Sequence, residues 1–228
     1  MELIEAKNLT IGYSGKKIAE NINFTIKEGQ YICIIGENGT GKSTLVKTLL
    51  GLLKPIAGDI NFFNGLEKKD VGYIPQDMPV KGDFPATVVE IVRSGLLNMP
   101  ECEFFYSKEA KALADKNMEK LGITELKKRS FRELSGGQRQ RTLIARALCS
   151  AEKVLFLDEP VAGLDVETQN ELYRILSELN KEGMTIVMIS HDIDRAISNA
   201  THIIEMKKSD TFMKETEEFL MTKKCDCA

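Results

Sequence analysis

Several features that mark membrane, secreted or nucleic-acid-binding proteins are missing from this sequence of 228 residues. No stretch approaches the roughly 20 uninterrupted apolar residues of a membrane-spanning helix. The N-terminal MELIEAKNLT also lacks the basic and then apolar pattern of a secretion signal. A formal net charge of −3 gives no general attraction to nucleic acid. These absences predict a cytosolic globular protein that would contact a membrane only through a partner.

Cysteine and histidine are scarce as well, which limits the metal sites and cross-links that the chain can form. Cysteine occurs at an odd number of positions: 33, 102, 149, 225 and 227. Cys33 and Cys149 lie in apolar segments, which fits reduced thiols better than a disulfide framework. The tail thiols Cys225 and Cys227 could share a zinc ion, but a complete site needs further ligands, and the sequence has only two histidines. A tail without metal is the simpler interpretation, and a metal sensor is the alternative.

Short apolar runs predict an α/β fold around a parallel sheet. The segments YICII (31–35), VLFL (154–157) and TIVMIS (185–190) are continuous apolar runs, as expected for strands buried on both faces. Each run is followed by polar loop residues and then by a helical pattern, and this recurrence is typical of an α/β core. Residues 3–11 and 18–26 predict two further β-segments near the N-terminus.

The middle and the end of the chain follow other patterns. GDINFF (58–63) and VGYIP (71–75) predict a second pair of strands after the first helix. Residues 77–134 predict a helical insertion, because their apolar residues recur at helical spacing with few β-branched breaks. The charge-rich tail from Lys207 predicts a short helix and a frayed end.

The segment GENGTGKS (36–43) fits the phosphate-loop pattern GxxxxGK[ST], between a predicted buried strand and a predicted helix. Its glycines let the backbone curl around the β- and γ-phosphates of a nucleotide, and Lys42 would neutralise oxygen charge. The Ser43 hydroxyl would bind Mg²⁺, and Thr44 could reach the α-phosphate. The alternative is a glycine turn before a helix. The predicted nucleotide-binding residues of this segment are Gly36, Glu37, Asn38, Gly39, Thr40, Gly41, Lys42, Ser43 and Thr44.

Two adjacent carboxylates follow the apolar run of VLFLDEP (154–160), at the strand end where α/β sheets bind ligands. Adjacent residues of a strand point apart, so Asp158 could face Mg²⁺ while Glu159 faces the water that attacks the γ-phosphate. A general base of this kind contributes roughly 10²- to 10⁴-fold to a rate. An acidic turn that caps the next helix is the alternative, but it does not explain the preceding apolar run.

Three further positions complete the predicted site through their order along the chain. Gln76 ends a predicted strand and could contact Mg²⁺ or the attacking water. His191 ends another predicted strand, where its imidazole could contact the γ-phosphate. Tyr13 could stack on adenine. Each of them alone is more often solvated, structural or part of the packing.

A second anion-binding pattern, LSGGQ, occupies residues 134–138. Its glycines expose backbone N–H groups, its serine adds a hydroxyl, and the helix that follows presents the positive end of its dipole. In the alternative interpretation Ser135 caps this helix and Gln138 completes a capping box. Capping alone does not call for two glycines, which weaken a helix start. The predicted ligand-binding residues of this segment are Leu134, Ser135, Gly136, Gly137 and Gln138.

Taken in order, Tyr13, GENGTGKST (36–44), PQ (75–76), LSGGQ, LFLDEP, AGLD (162–165) and SHD (190–192) resemble the motifs of ATP-binding cassette (ABC) transporter ATPase subunits. The resemblance spans essentially the whole chain. It implies a P-loop NTPase (RecA-like) core with an antiparallel β subdomain in residues 1–76 and 135–228. It also implies that residues 77–134 are an inserted α-helical subdomain.

The same resemblance implies how the site works. ATP and Mg²⁺ would be the cofactors, and two copies would pair head to tail so that each ATP lies between one copy's phosphate loop and the other's LSGGQ. By this resemblance Glu159 is the catalytic base, His191 a switch residue beside the γ-phosphate, Gln76 the link to a membrane partner and Asp165 a contact across the interface. The catalytic residues are thus expected to be Glu159, His191 and Lys42, and the metal-binding ones Ser43, Gln76 and Asp158.

Two helical segments, 83–97 and 104–122, resemble most closely the ATPase subunits of bacterial zinc and manganese importers. This likeness predicts ATP-driven import of a divalent metal ion. The expected partners are integral membrane permease subunits and an extracytoplasmic metal-binding protein, with no nucleic acid. The protein would then be peripheral, on the cytoplasmic face of the membrane.

Two other classes of function are left open by the motifs. One is a soluble ABC-type ATPase that acts on ribosomes or DNA without a membrane partner. A single copy of each motif and the lack of a long coiled coil between phosphate loop and LSGGQ argue against it. The other is a non-hydrolysing, ATP-gated clamp, against which Glu159 and His191 argue.

Overall fold

The structure is a computed structural model that describes residues 1–13, 15–76, 85–97, 106–207 and 211–226. Within these ranges the strands are β1 (Glu2–Tyr13), β2 (Lys16–Lys27), β3 (Tyr31–Ile35), β4 (Ala57–Phe62), β5 (Val71–Ile74), β6 (Val154–Asp158), β7 (Thr185–Ile189), β8 (His202–Met206) and β9 (Thr211–Glu215). The α-helices are α1 (Lys42–Leu49), α2 (Val88–Arg93), α3 (Lys108–Lys120), α4 (Gly136–Leu148), α5 (Val166–Lys181), α6 (Ile193–Asn199) and α7 (Thr216–Asp226).

The larger sheet has six strands in the order β5-β6-β7-β3-β8-β9. All neighbours in it are parallel except β8 and β9, which are antiparallel. Every residue of β3, β6 and β7 is buried, which confirms the strands predicted from the three apolar runs. The carboxyl ends of the parallel strands therefore meet at one edge, where a doubly covered sheet binds its ligands.

The smaller sheet is antiparallel and has the order β2-β1-β4. Strands β1 and β2 confirm the two N-terminal β-segments. Strands β4 and β5 confirm the two strands predicted at 58–63 and 71–75, but they belong to different sheets: β4 pairs with β1, while β5 joins the larger sheet beside β6.

The end of the chain contains more sheet than the sequence indicated. Strand β8 was not predicted, although it pairs with β3 in the middle of the larger sheet. Strand β9 lies in the segment predicted to be a charged tail. It pairs with β8 at the edge of the sheet, and charged residues are common on such edge strands. Helix α7 agrees with the predicted short terminal helix.

Two clusters of buried apolar residues cover the two faces of the larger sheet. Along β3, Cys33 and Ile35 belong to one cluster and Ile32 and Ile34 to the other, as expected from the alternation of side chains in a strand. The first cluster includes residues of α2, α3, α4 and α5, and the second those of β1, β2 and α1. The sheet is thus held between a helical layer and the antiparallel sheet, each packed on one of its faces.

The predicted helical insertion contains α2 and α3, each with a defined start. Ser107 caps α3 by accepting a hydrogen bond from Ala110 N at 3.1 Å, and Thr87 and Glu90 form a capping box at α2. Helix α4 packs against α2 and α3 and also against α5 of the core. Because α4 joins the two parts, the boundary between residues 134 and 135 stays a prediction.

Cys33 and Cys149 are buried free thiols, as the sequence indicated. The side chain of Cys225, together with Cys102 and Cys227, lies outside the described residues, and so does the tail metal site considered above. Among the described helices, none has both the length and the apolar character that crossing a membrane requires.

Candidate active site

Four loops at the carboxyl edge of the larger sheet enclose a cavity of about 620 Å³. The loops follow β3, β5, β6 and β7, four strands that run parallel. The cavity is therefore a product of the topology, which gathers residues far apart in the sequence. Its lining residues are Asn38, Gly39, Gly41, Lys42, Ser43, Thr44, Gln76, Glu159 and His191. All nine were predicted to belong to the site.

The loop between β3 and α1 has a backbone that only glycine adopts readily. Gly36, Gly39 and Gly41 have φ angles of 149°, 82° and 102°, a region that is costly for residues with a Cβ. A Cβ on Gly36 would also lie 2.3 Å from the backbone oxygen of Met206. Thr40 is buried and donates to the carbonyl of Glu37 at 2.9 Å, so its side chain stabilises the loop from inside.

Helix α1 begins at this loop without a side-chain cap. The N–H groups of its first turn are thus available to a ligand. Lys42, only 6% exposed, donates through Nζ to the carbonyls of Gly36 at 2.8 Å and Glu37 at 3.0 Å. Burial lowers the pKa of the Lys42 ammonium, and the carboxylates of Glu159 and Asp158 act in the opposite direction. An uncapped helix start beside an ammonium group fits the phosphates of a nucleotide.

Asp158 and Ser43 bring two oxygen donors together; Ser43 lines the cavity, and Asp158 lies directly behind it and is not among the described lining residues. Asp158, at the end of β6, is 2% exposed, and it accepts a hydrogen bond from Ser43 Oγ at 3.2 Å. Burial raises the pKa of the Asp158 carboxyl, while the bond from Ser43 lowers it. A carboxylate and a hydroxyl are ligands that Mg²⁺ prefers, and a cation at this point would offset the burial of the charge. The donor set therefore fits Mg²⁺.

Gln76 and His191 both contact Glu159 at the cavity. Gln76 Nε2 donates to Glu159 Oε2 at 2.8 Å, and His191 Nε2 donates to Glu159 Oε1 at 2.5 Å. Glu159 has a φ of 52°, which is rare for a residue with a long side chain and marks a constrained position. Residues 76, 159 and 191 are thus brought together as predicted, although Gln76 turns its amide nitrogen toward Glu159.

Tyr13 lies outside this group. It ends β1, its side chain is exposed at 44%, and it is not among the described residues that line the cavity. An exposed ring at a strand end can still stack on a base, so its predicted contact with adenine stays a prediction.

The LSGGQ segment forms a capped helix start. Ser135 Oγ accepts from Gln138 N at 3.3 Å, and Gln138 Oε1 accepts from Ser135 N at 3.1 Å. The capping box considered as the alternative is therefore present. Leu134 is buried in the core, so its side chain cannot contact a ligand and only its backbone could. Ser135 is exposed, so the polar side of this segment faces outward.

The paired glycines of this segment have a packing reason that sequence reasoning missed. A Cβ on Gly137 would lie 2.4 Å from Thr168 Cγ2, and one on Gly136 would lie 2.9 Å from Leu164 Cδ2. The tip of Leu164 can move aside for a Cβ on Gly136, but Thr168 is held by its hydrogen bond to Asp165, so the close approach of helix α4 to the start of α5 requires glycine at position 137. No residue of 134–138 is among the described residues lining the cavity.

Asp165, predicted to contact a partner copy, caps α5. Its Oδ1 accepts from Thr168 N at 3.0 Å and its Oδ2 from Thr168 Oγ1 at 2.7 Å. The hydrogen bond from the Thr168 hydroxyl is the main cause that lowers the pKa of the Asp165 carboxyl. The segment that carries Asp165 is thus fixed to the start of α5, next to the glycines of α4.

Comparison with known proteins agrees with this geometry. Residues 19–162, more than half of the chain, match the family model described as ABC transporter. The chain belongs to the ABC transporter family. Within this family it is an ATPase, and its cofactors are ATP and Mg²⁺.

Individual relatives cover most of the chain. The manganese transport system ATP-binding protein MntB of Bacillus subtilis is 38% identical over 203 residues, covering 85% of this chain and 78% of MntB. The zinc uptake system ATP-binding protein ZurA of Listeria monocytogenes is 36% identical over 225 residues, covering 96% of this chain and 88% of ZurA.

Solved structures of the family superpose closely. CbiO1 from Clostridium perfringens, part of the ABC transporter complex cbiONQ, is 33% identical with a TM-score of 0.82, covering 97% of this chain and 92% of that one. A nucleotide-free ATP-binding cassette from an ABC transporter is 26% identical with a TM-score of 0.84, covering 97% and 94%. These likenesses confirm the predicted α/β cassette fold. The relatives give no support to the alternative of a soluble ATPase acting on ribosomes or DNA.

Proposed function

We propose that this protein is the ATP-hydrolysing subunit of an importer of divalent metal ions such as manganese or zinc. The observation that carries the ATPase part is the cavity that places Lys42, Ser43, Glu159 and His191 on common walls. The metal part rests on relatives named for manganese transport and zinc uptake. The substrate itself would bind to other proteins of the complex.

The phosphate loop would hold ATP. The first turn of α1 supplies N–H groups and Lys42 supplies a positive charge for the β- and γ-phosphates, with Thr44 near the α-phosphate. Ser43 and Asp158 would hold Mg²⁺, and the amide of Gln76 is close enough to their neighbour Glu159 to reach the same region. When bound, Mg²⁺ neutralises phosphate charge during transfer.

Glu159 would accept the proton of the attacking water. Its carboxylate is directed by two donors, Gln76 and His191, which limit the orientations that it can take. The side chain of His191 is more exposed than that of Glu159, so its imidazole can also meet the γ-phosphate. Directed orientation is what general-base catalysis requires.

Two copies would close around ATP head to tail, with Ser135 and the N-terminus of α4 facing the ATP of the other copy. The location of 134–138 away from the cavity and the exposure of Ser135 support this arrangement. Asp165, beside the same glycines, would contact the other copy too. ATP would favour the closed pair through its differential binding, and hydrolysis would release it.

Membrane permease subunits and an extracytoplasmic metal-binding protein would complete the complex. The cassette would then be peripheral, on the cytoplasmic face of the membrane. Gentle extraction of membranes from the native cell, with a tag on this protein, should recover an integral membrane protein. Recovery of ribosomes or DNA in its place would contradict the transporter.

The paired arrangement can be tested by mixing inactive subunits. Ser135→Arg blocks the contact to the other copy's ATP, and Lys42→Ala blocks the phosphate loop. If the site is shared, a mixture of the two variants regains ATP hydrolysis, because one composite site of each mixed pair is intact. Sites contained within one copy would leave the mixture as inactive as each variant alone.

The metal can be tested in cells that lack the gene. Cellular manganese and zinc, measured by elemental analysis, should fall in the deletion strain and return with the wild-type protein. Glu159→Gln, which folds around the same cavity but lacks the base, should not restore them. Unchanged content of both metals in the deletion strain would contradict import of either.

A further inference from the structure

A chain of hydrogen bonds joins the loop after Glu159 to the loop that carries His191. It runs through Gln169 of α5 and Arg195 of α6, neither of which is among the described residues that line the cavity. Both side chains are partly buried. They therefore form a support behind the site.

Gln169 holds the first of these loops by its backbone. Its Nε2 donates to the carbonyl of Leu164 at 2.8 Å and to that of Val161 at 3.3 Å. Both carbonyls belong to the segment that leads from Glu159 to the start of α5. The amide oxygen of Gln169 is left to accept a different donor.

Arg195 supplies that donor and also binds the loop that carries His191. Its Nη1 donates to Gln169 Oε1. Its Nε lies 3.3 Å from Asp192 Oδ2, and its backbone N–H donates to Asp192 Oδ1 at 3.1 Å. Asp192 follows His191 directly in the chain, so the guanidinium fixes the residue next to the imidazole.

The connections close into a ring. From Glu159 the chain passes to Leu164, hydrogen bonds lead on to Gln169, Arg195 and Asp192, and His191 returns to Glu159 at 2.5 Å. A ring of this kind limits where the imidazole and the carboxylate can lie relative to each other. Small displacements of reacting groups cost large factors in rate, so a support of this kind bears on catalysis.

We propose that Gln169 and Arg195 are positioning residues that hold His191 against Glu159 for ATP hydrolysis. This inference rests on the proposed roles of Glu159 and His191. Two side chains, one on α5 and one on α6, would place both loops without contacting ATP or Mg²⁺ themselves.

Nuclear magnetic resonance of the nucleotide-free protein tests the placement directly. Because His191 and His202 are the only histidines, the imidazole region contains two sets of signals, which a His202→Gln spectrum assigns. In Gln169→Met and Arg195→Met the His191 signal should shift by more than its linewidth. The His202 signal should stay, because His202 bonds to Gln30 and Thr201 instead.

Steady-state kinetics test the consequence for hydrolysis. Both variants should lower kcat about tenfold, on the order of what a misplaced catalytic group costs, while the dissociation constant for ATP stays within twofold. The double variant should be no worse than either single one, because the two residues act through one bridge. Arg174→Met, which removes an exposed pair with Glu178 on α5, is the matched control and should change neither readout.

Two conservative variants separate positioning from a general loss of stability. Gln169→Glu keeps an acceptor for Arg195 but loses the donor to Leu164 and Val161. Its unfolding temperature should therefore lie closer to that of the wild type than the unfolding temperature of Gln169→Met does, while kcat should still be lowered. Arg195→Lys keeps the charge but not the planar guanidinium that contacts both Gln169 and Asp192. Its kcat should therefore lie between that of Arg195→Met and that of the wild type.

The outcomes are distinguishable. An unmoved His191 signal in every bridge variant, or a moved signal with unchanged kcat, would overturn the positioning role. Additive losses in the double variant would overturn the single bridge. If the wild-type protein hydrolysed no ATP, the proposed function would fail, while the His191 signals would still report whether the bridge holds the loop.

Discussion

Residues 36–43 and 134–138 both place glycines at the start of a helix, yet their backbones differ. Gly36, Gly39 and Gly41 have positive φ angles, and α1 begins without a side-chain cap. Gly136 and Gly137 are not in that region, and α4 begins with a complete capping box. The first loop leaves the N–H groups at the start of its helix available to a ligand. In the second, the capping box already satisfies part of the N–H groups at the start of the helix.

The difference shows that glycine serves two physical purposes in one protein. In the phosphate loop it permits a backbone conformation, and in the LSGGQ segment it permits two helices to approach. A ligand at the second segment must therefore meet the exposed Ser135 and the remaining N–H groups from outside. Substitutions at the two loops should separate these purposes.

The largest expected effect is that of Gly36→Ala. Its Cβ would meet the backbone oxygen of Met206 at 2.3 Å, in addition to the strain of its positive φ. We expect a loss of about 3 kcal/mol in the free energy of unfolding. Denaturant unfolding measures it, with Gly15→Ala, which has a positive φ but no nearby atoms, as the control. Equal losses in both would show that strain alone matters.

Lys42→Ala should weaken ATP binding, whereas Ser135→Arg should affect hydrolysis without weakening ATP binding. Removing the Lys42 ammonium takes away charge-assisted bonds worth about 1.5–3 kcal/mol, so the affinity of the isolated subunit for ATP should fall roughly 10- to 100-fold. Ser135→Arg should leave that affinity unchanged and abolish hydrolysis. Calorimetric titration and phosphate release measure the two effects. A loss of ATP affinity in the isolated Ser135→Arg subunit would show that the two loops share a ligand within one copy.

Gly137→Ala should cost stability by overpacking rather than by backbone strain. Its Cβ would lie 2.4 Å from Thr168 Cγ2, and we expect a loss of about 1–3 kcal/mol. Thr168→Ser removes that methyl group and keeps the hydroxyl that bonds Asp165, so the double variant should regain most of the loss. Thermal unfolding of the four proteins measures it. Absence of rescue would mean that Gly137 is required for another reason.

The smallest expected effect is that of the cap itself. Ser135→Ala removes the acceptor for Gln138 N and should lower the free energy of unfolding by about 1 kcal/mol. Ser135→Asp, which restores an acceptor, should recover it. If hydrolysis falls in both variants while stability falls only in the first, the serine hydroxyl has a role beyond the cap.

The sequence predicted the strands and loops that a single local pattern, an apolar run or a motif, is sufficient to identify. Continuous apolar runs identified β3, β6 and β7, and the motifs that follow them, together with Gln76 after β5, identified the cavity residues. The partner of β5 was not predictable, because an alternating pattern reports exposure and not the neighbouring strand. Strand β9 was missed since its charged residues are as typical of a tail as of a sheet edge.

The supporting residues of the site were less visible still. Gln169 and Arg195 lie in ordinary helical patterns, and only the folded chain brings them together. The reason for Gly137 was equally hidden, because Thr168 is distant in sequence. Such contacts depend on tertiary packing, which no local pattern encodes.

The position of β3 also bears on how the chain folds during synthesis. Its neighbours in the sheet are β7 and β8, which come near the end of the sequence. A ribosome therefore releases the phosphate loop long before the strands that secure it, and pairings of such long range form slowly. Until β8 has emerged, the nascent chain exposes the apolar segment 31–35, and in that interval it depends most on protection from aggregation.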